Sequence, residues 1–136
     1  MDLTWAPDPS PTWDDDRQRI VGSHPRSFPA LADADAGARL PGRWWRAVRD
    51  GKTVGFGWMD VTWGDAEVWL AADPEAEHTG VGTFLLEHLS AEARRQGLRY
   101  LFNAIPPKHE APDALKRWLE RRGFGLSGDG LYKRLV

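Results

Sequence analysis

Asp65-Ala66-Glu67-Val68-Trp69-Leu70-Ala71-Ala72-Asp73-Pro74-Glu75-Ala76-Glu77-His78-Thr79-Gly80-Val81-Gly82, running on through residues 83–96, is the stretch whose reading decides the fold. It reads as a strand, a glycine-bearing turn and an amphipathic helix. Val81, Leu85, Leu86, Leu89 and Ala93 recur at helical spacing, and Gly97 supplies the stop. A helix N-terminus leaves backbone N–H groups unpaired and carries partial positive charge, while Gly80 and Gly82 lack the Cβ that would keep an anion away. The segment is therefore a phosphate cradle, and its ligand carries a phosphate or pyrophosphate. Residue 85 is Leu where a dinucleotide fingerprint needs a third glycine, and the strand follows a meander where that fingerprint follows the first strand.

Outward toward the N-terminus, residues 43–49 and 53–63 are rich in aromatic and branched side chains and are separated by Asp50-Gly51, a favoured hairpin turn. Gly64-Asp65 makes the next turn, into residues 67–72. Before residue 42 lie six of the ten prolines, Pro7, Pro9, Pro11, Pro25, Pro29 and Pro41, so regular structure there is short. The spacing predicts a strand over 3–6 and a helix over 13–22 with Ile20 and Val21 facing the core.

Toward the C-terminus, residues 98–105 form an apolar strand that the helix crossover makes parallel to residues 67–72. Pro106 and Pro107 end it. A last helix over 113–122 turns Leu115, Trp118 and Leu119 inward, and residues 126–135 supply a closing hairpin around Asp129-Gly130. The fold class is α/β with a mixed sheet and no internal repeat. At 136 residues the chain suits one domain, 1–136, of which 1–41 is the short, proline-rich part.

Composition excludes several classes. A net charge of −2 gives no basic footprint for nucleic acid. The pairs Arg94-Arg95, Lys116-Arg117 and Arg121-Arg122 read either as solvated helix faces and helix C-termini or as cations for a ligand phosphate. Without cysteine there is no disulfide, thiolate metal site or catalytic thiol. His24, His78 and His88 show no metal spacing, so no metal is expected. No apolar run approaches membrane-spanning length and the N-terminus lacks a secretory pattern, which together read as a cytoplasmic protein.

Asp73-Pro74-Glu75 with Gly80-Val81-Gly82 resembles motif A of the GNAT superfamily of acyl-coenzyme A-dependent N-acyltransferases, and Leu3-Thr4-Trp5-Ala6-Pro7 and the Gly123-Phe124 ending of the last helix are similar to that family's first strand and last helix. The resemblance implies a mostly antiparallel mixed sheet with flanking helices, whose central parallel strand pair splays to admit the pantetheine arm. It implies acetyl-coenzyme A as cosubstrate and direct acetyl transfer to the primary amine of a small molecule or peptide. Residues 1–41 would build part of the acceptor wall. The backbone of Leu70, Ala71 and Ala72 would pair with pantetheine, and the cradle Glu77, His78, Thr79, Gly80, Val81, Gly82 and Thr83 would hold the pyrophosphate.

An amine near pKa ~10.4 must lose a proton before it attacks, so the reaction needs a base. Glu67 resembles the glutamate that some family members use. Matching it takes a one-residue shift, which in a strand reverses the face unless a bulge restores it. Asp60 is the second candidate; either is otherwise a solvent-facing strand carboxylate. The family's acid position on the last helix is Leu119, and Pro112 stands where an Asn often opens that helix, leaving Tyr132 and Tyr100 as substitutes or as packing. His109, in the loop after the parallel strand, is a catalytic candidate or a solvated side chain. Glu77 stands where the family has Gln or Arg, and a solvated carboxylate at contact distance repels pyrophosphate by about 1 kcal/mol.

Eight tryptophans fill mostly core positions. Trp44 and Trp45 point to opposite faces, and an indole lining the acceptor cleft beside Asp60 and Glu67 would favour a cationic or aromatic acceptor. The departures at Glu77 and Leu119 also fit a second reading, a non-catalytic acyl-coenzyme A-binding module that regulates a partner. The indole excess and open strand edges are compatible with a homodimer.

Overall fold

The computed structural model describes residues 2–24, 28, 31 and 34–136. In chain order the elements are β1 (Thr4–Asp8), α1 (Asp15–Ile20), β2 (Arg43–Arg49), β3 (Lys52–Thr62), β4 (Asp65–Ala72), a 3-10 turn (Pro74–Ala76), α2 (Val81–Arg95), β5 (Tyr100–Asn103), α3 (Pro112–Arg121), β6 (Gly125–Leu126) and β7 (Tyr132–Leu135). One sheet of seven strands runs in the order β1, β2, β3, β4, β5, β7, β6. Every neighbouring pair is antiparallel except β4 and β5. The expected mixed sheet with one central parallel pair is what forms, and Pro7 is tolerated because β1 is an edge strand.

The pleat sorts the sheet into two cores. Trp45, Met59, Ala66 and Val68 face α2 and pack in one cluster with Leu86, Leu89 and Ala93. Trp44, Phe56 and Ala71 face the other way, onto Ile20, Val21 and Phe28. The two adjacent indoles thus enter different cores, as the alternation requires. The helix approaches β3 closely because two strand residues lack side chains. A Cβ on Gly55 would lie 2.8 Å from Val81 Cγ1, and one on Gly57 3.3 Å from Leu89. Each leucine of the α2 stripe contributes about 1.5–3 kcal/mol by leaving water. Trp63 is the exception among the indoles: it sits at the β3–β4 turn with φ +52° and is 93% exposed.

Several elements differ from the sequence reading: α1 spans Asp15–Ile20 where 13–22 is expected, and β1 spans Thr4–Asp8 where 3–6 is expected. The predicted strand over 98–105 shrinks to Tyr100–Asn103 because both ends are held elsewhere. Leu98 N–H closes the end of α2 on Ala93 O at 3.0 Å, and after Asn103 the chain leaves the ladder. The helix begins at Val81, two residues before the expected start, with Gly80 as N-cap.

The proline-rich N-terminal part is fastened by charge. Arg17 is fully buried, its guanidinium donating to Asp8 at 2.7 Å, to Asp14 at 3.2 Å and to Thr12 O at 2.9 Å. It lies over the Trp44 and Phe56 rings at 4.5 and 4.6 Å. Arg46, from β2, reaches Asp8, Asp14 and Asp16, and Arg19 ties α1 to buried Asp73 and to Thr53 O. No helix among the described residues is long and apolar enough to cross a membrane.

Arg17→Ala removes one side of a buried ionic cluster, and the expected cost is about 3 kcal/mol, read as a lower urea midpoint. Burial pushes the Asp14 carboxyl up, but the Arg17 backbone N–H and the Arg46 guanidinium outweigh it and hold it below the ordinary value. A depressed folded-state pKa contributes stability that is present above the unfolded value and lost as pH falls through the folded one. Acidification below about pH 4 should therefore lower the midpoint, and by less in Asp14→Asn than in the parent chain.

Candidate active site

Only two residue pairs join β4 to β5, Ala66 with Leu101 and Glu67 with Phe102. Beyond them the Asn103 side-chain Nδ2 donates to Val68 O at 2.9 Å, in place of a further ladder bond. The strands then part, and the edge of β4 from Trp69 to Ala72 has no strand partner on that side among the described residues. A cavity of about 300 Å³ occupies the gap. Val68 to Ala72 form one wall, Asn103, Pro106, His109 and Ala111 the other, and Leu86, Leu115, Trp118 and Leu119 close the apolar side. His24, Phe28 and Trp69 line it on the α1 side of the sheet. Asn103 Oδ1 is shielded from solvent and has no hydrogen-bond partner among the described residues.

The turn before α2 uses left-handed backbone at His78 (φ +62°) and Gly80 (φ +89°). No side chain caps this helix; its first bond runs from Phe84 N–H to Gly80 O, so the N–H groups of Val81, Gly82 and Thr83 have no acceptor within the helix. Among the described residues nothing lies within 4 Å of where a Gly80 Cβ would stand, and a Cβ on Gly82 would come 3.2 Å from the Trp118 ring. The turn is thus open at Gly80, and Trp118, which also lines the cavity, covers Gly82.

Arg122 completes this end. Its guanidinium lies 3.8 Å from the Trp118 ring centroid and donates from Nε and Nη2 to Thr83 Oγ1 at 3.3 and 3.0 Å. No carboxylate pairs with it among the described residues. Burial and the neighbouring Arg121 charge push its pKa down, so an anion at the α2 N-terminus would relieve it. Arg49 donates to Thr79 Oγ1 and O at 3.0 and 3.2 Å, bracing the turn from β2. Glu77 has its carboxylate 3.9 Å from His24 Nε2. In the sequence, Arg121-Arg122 reads first as a solvated helix face or helix C-terminus; only the packing of α3 on α2 brings Arg122 to Thr83.

On the α1 side, β3 and β4 keep one register from Gly55 opposite Ala72 to Thr62 opposite Asp65, with no bulge. Glu67 therefore shares a face with Trp69 and sits directly across from Asp60. Trp69 Nε1 donates to Glu67 Oε2 at 3.1 Å. Burial raises the Glu67 pKa and the Asp60 charge adds to it, against the opposing pull of the Trp69 bond. Tyr132 is 9% exposed, pairs with Asn103 in the β5–β7 ladder and belongs to the α2-side core; it is not among the cavity-lining residues. Leu119 is on the lining. His109 Nδ1 accepts the Ala111 N–H at 2.9 Å, which places the proton of the neutral ring on Nε2. The sequence signal for Asn103 is a lone amide in the apolar run Leu101-Phe102-Asn103-Ala104-Ile105. No group of three or more metal-ligating side chains gathers among the described residues.

Residues 41–125 match the family described as the acetyltransferase (GNAT) domain. No curated protein matches the chain. Solved structures are similar to it. A protein of the GNAT acetyltransferase family from Desulfovibrio desulfuricans is 25% identical with a TM-score of 0.56, over 69% of this chain and 67% of that one. A ribosomal-protein-alanine N-acetyltransferase from Brucella melitensis is 22% identical with a TM-score of 0.58, over 70% and 69%. N-acetylglutamate synthase from Neisseria gonorrhoeae, complexed with coenzyme A and N-acetyl-glutamate, is 17% identical with a TM-score of 0.69. All of this chain but only 35% of the synthase is covered.

Arg122→Ala should raise the Kd for coenzyme A about tenfold in calorimetric titration, the ~1.4 kcal/mol equivalent of one charge-assisted hydrogen bond at a half-buried position. Unchanged affinity would remove Arg122 from the phosphate site.

Proposed function

Because the chain belongs to the GNAT acetyltransferase family, we propose that it carries an acetyl group from acetyl-coenzyme A directly to the primary amine of a small molecule or peptide. One observation carries this reading: a single cavity follows the unpaired edge of β4 from Trp118, which covers the α2 N-terminus, to Trp69, which is bonded to Glu67. A cosubstrate and an acceptor can thus meet from opposite sides of the sheet.

The residues present fit the cosubstrate. The N–H groups of Val81, Gly82 and Thr83, with Arg122, would hold the pyrophosphate, and the rest of the turn from Glu77 to Gly80 shapes its cradle. Leu70, Ala71 and Ala72 offer backbone groups to the pantetheine amides, and Asn103 Oδ1 offers an acceptor. When bound, acetyl-coenzyme A supplies a thioester whose carbonyl carbon accepts the amine nitrogen while the C–S bond breaks. Glu67 takes the amine proton, directly or through one water, and burial, with a smaller push from the Asp60 charge, keeps it basic enough to do so. Oxyanion stabilisation falls to the β4 N–H edge. The sulfur leaves as thiolate and takes its proton from solvent, with His109 on the cavity wall as a hydrogen-bonding neighbour and Tyr132 as packing behind Asn103. A thiol of pKa ~8.5 needs little help to leave, so Leu119 at the family's acid position is no bar to turnover.

Glu67→Gln should lower kcat about 10²-fold in a thiol-release assay on an amine panel while leaving coenzyme A affinity unchanged. The base acts deprotonated, so its raised pKa moves the acidic limb of kcat/KM upward; Asp60→Asn removes the repelling charge and should move that limb to lower pH. Cofactor binding with no turnover on any amine would instead support a non-catalytic acyl-coenzyme A-binding module.

A further inference from the structure

We infer that the acceptor is an aromatic primary amine with no carboxylate beside its amino group. This rests on the transfer reading above and names the substrate class of the same site. The end of the cavity on the α1 side is built of rings. Trp69 lines it, with the Trp58 ring 5.2 Å away at 47° and the Phe28 ring 5.3 Å away at 60°. Both indoles are half-buried, and each is held by its own N–H: Trp58 donates to Pro41 O at 3.2 Å, and Trp69 to Glu67. Gly42 makes the first possible, since a Cβ there would stand 2.0 Å from Trp58 Nε1. Tilted indoles fixed at one edge present rigid faces at little entropic cost, suited to an aromatic body.

Beside the rings, Asp60 and Glu67 are directly opposed across β3 and β4, an arrangement that is unfavourable for the sheet. Asp60 Oδ1 accepts only the next backbone N–H, and Glu67 accepts Trp69. No Lys or Arg salt bridge reaches either among the described residues. The ammonium of an incoming amine supplies the missing positive charge before Glu67 removes its proton, and the ring faces add cation–π attraction. An α-carboxylate would be a third negative charge in the same place. An amino acid or the same amine without a ring therefore fits less well than an arylalkylamine.

The test compares phenethylamine, phenylalanine, n-butylamine and an alanine-terminated tetrapeptide with the full chain. Turnover is read by thiol release at saturating acetyl-coenzyme A, and binding by calorimetry on the coenzyme A complex. Phenethylamine should exceed each of the others by at least about tenfold in kcat/KM and in affinity. Trp69→Ala should erase its advantage over n-butylamine, a ratio insensitive to any change at Glu67 because both amines use it; Trp58→Ala serves if that variant does not fold. Equal or better handling of phenylalanine, the peptide or n-butylamine overturns the inference. Preferential binding of phenethylamine without turnover of any amine upholds the site and overturns the transfer reading instead.

Discussion

The parting of β4 and β5 after two residue pairs is the constraint on which the rest depends. A parallel pair continued to Ala72 would satisfy every backbone group of β4 and close the sheet. Here the Asn103 amide takes the place of the next ladder bond, and the prolines at 106 and 107 carry the chain away. The exposed edge that results has donors and acceptors at strand spacing, bordered by an apolar floor. Such an edge is stable in a folded protein only if water or a strand-like ligand completes it.

The two helical layers give that opening its two ends. Gly55 and Gly57 let α2 settle close on β3, which sets its N-terminus beside the end of β4. On the opposite face α1, of six residues, is the helix that the described residues supply. The acidic residues Asp8, Asp14 and Asp16 close on Arg17 and Arg46, with the Trp44 and Phe56 rings beneath. Buried ion clusters of this kind offer specificity of placement more than net stability. They position α1 so that Phe28, His24 and Trp69 come together at one end of the cavity.

Charge stands outside the cavity lining, behind Trp118 at one end and beside Trp69 at the other. Arg122, without a carboxylate, stands at the end where α2 begins, and Asp60 with Glu67, without a cation, stands at the other. Neither arrangement is favourable for the fold alone. The Glu77 carboxylate lies toward His24, and on the proposed reading Arg122, beyond the end of α3, supplies positive charge beside the α2 N-terminus.

The sequence alone determined what local periodicity can report. The α2 stripe of Val81, Leu85, Leu86, Leu89 and Ala93 is buried as read, the Asp50-Gly51 hairpin forms, and the crossover from β4 through α2 makes β5 parallel. These follow because apolar spacing marks the face an element must hide, and turn residues mark where it must reverse. The glycine turn was legible for the same reason. Residues whose roles depend on distant partners were not. Arg17 is an ordinary polar helix residue until Asp8, Asp14, Trp44 and Phe56 surround it. Asn103 is one position in an apolar run until β5 stops there, and Trp118 and Arg122 belong to a helix face until α3 packs across Gly82 and Thr83. No window of sequence records which rigid elements meet at what angle, so the tertiary packing decided the site's walls and charges, while the sequence had already decided its frame.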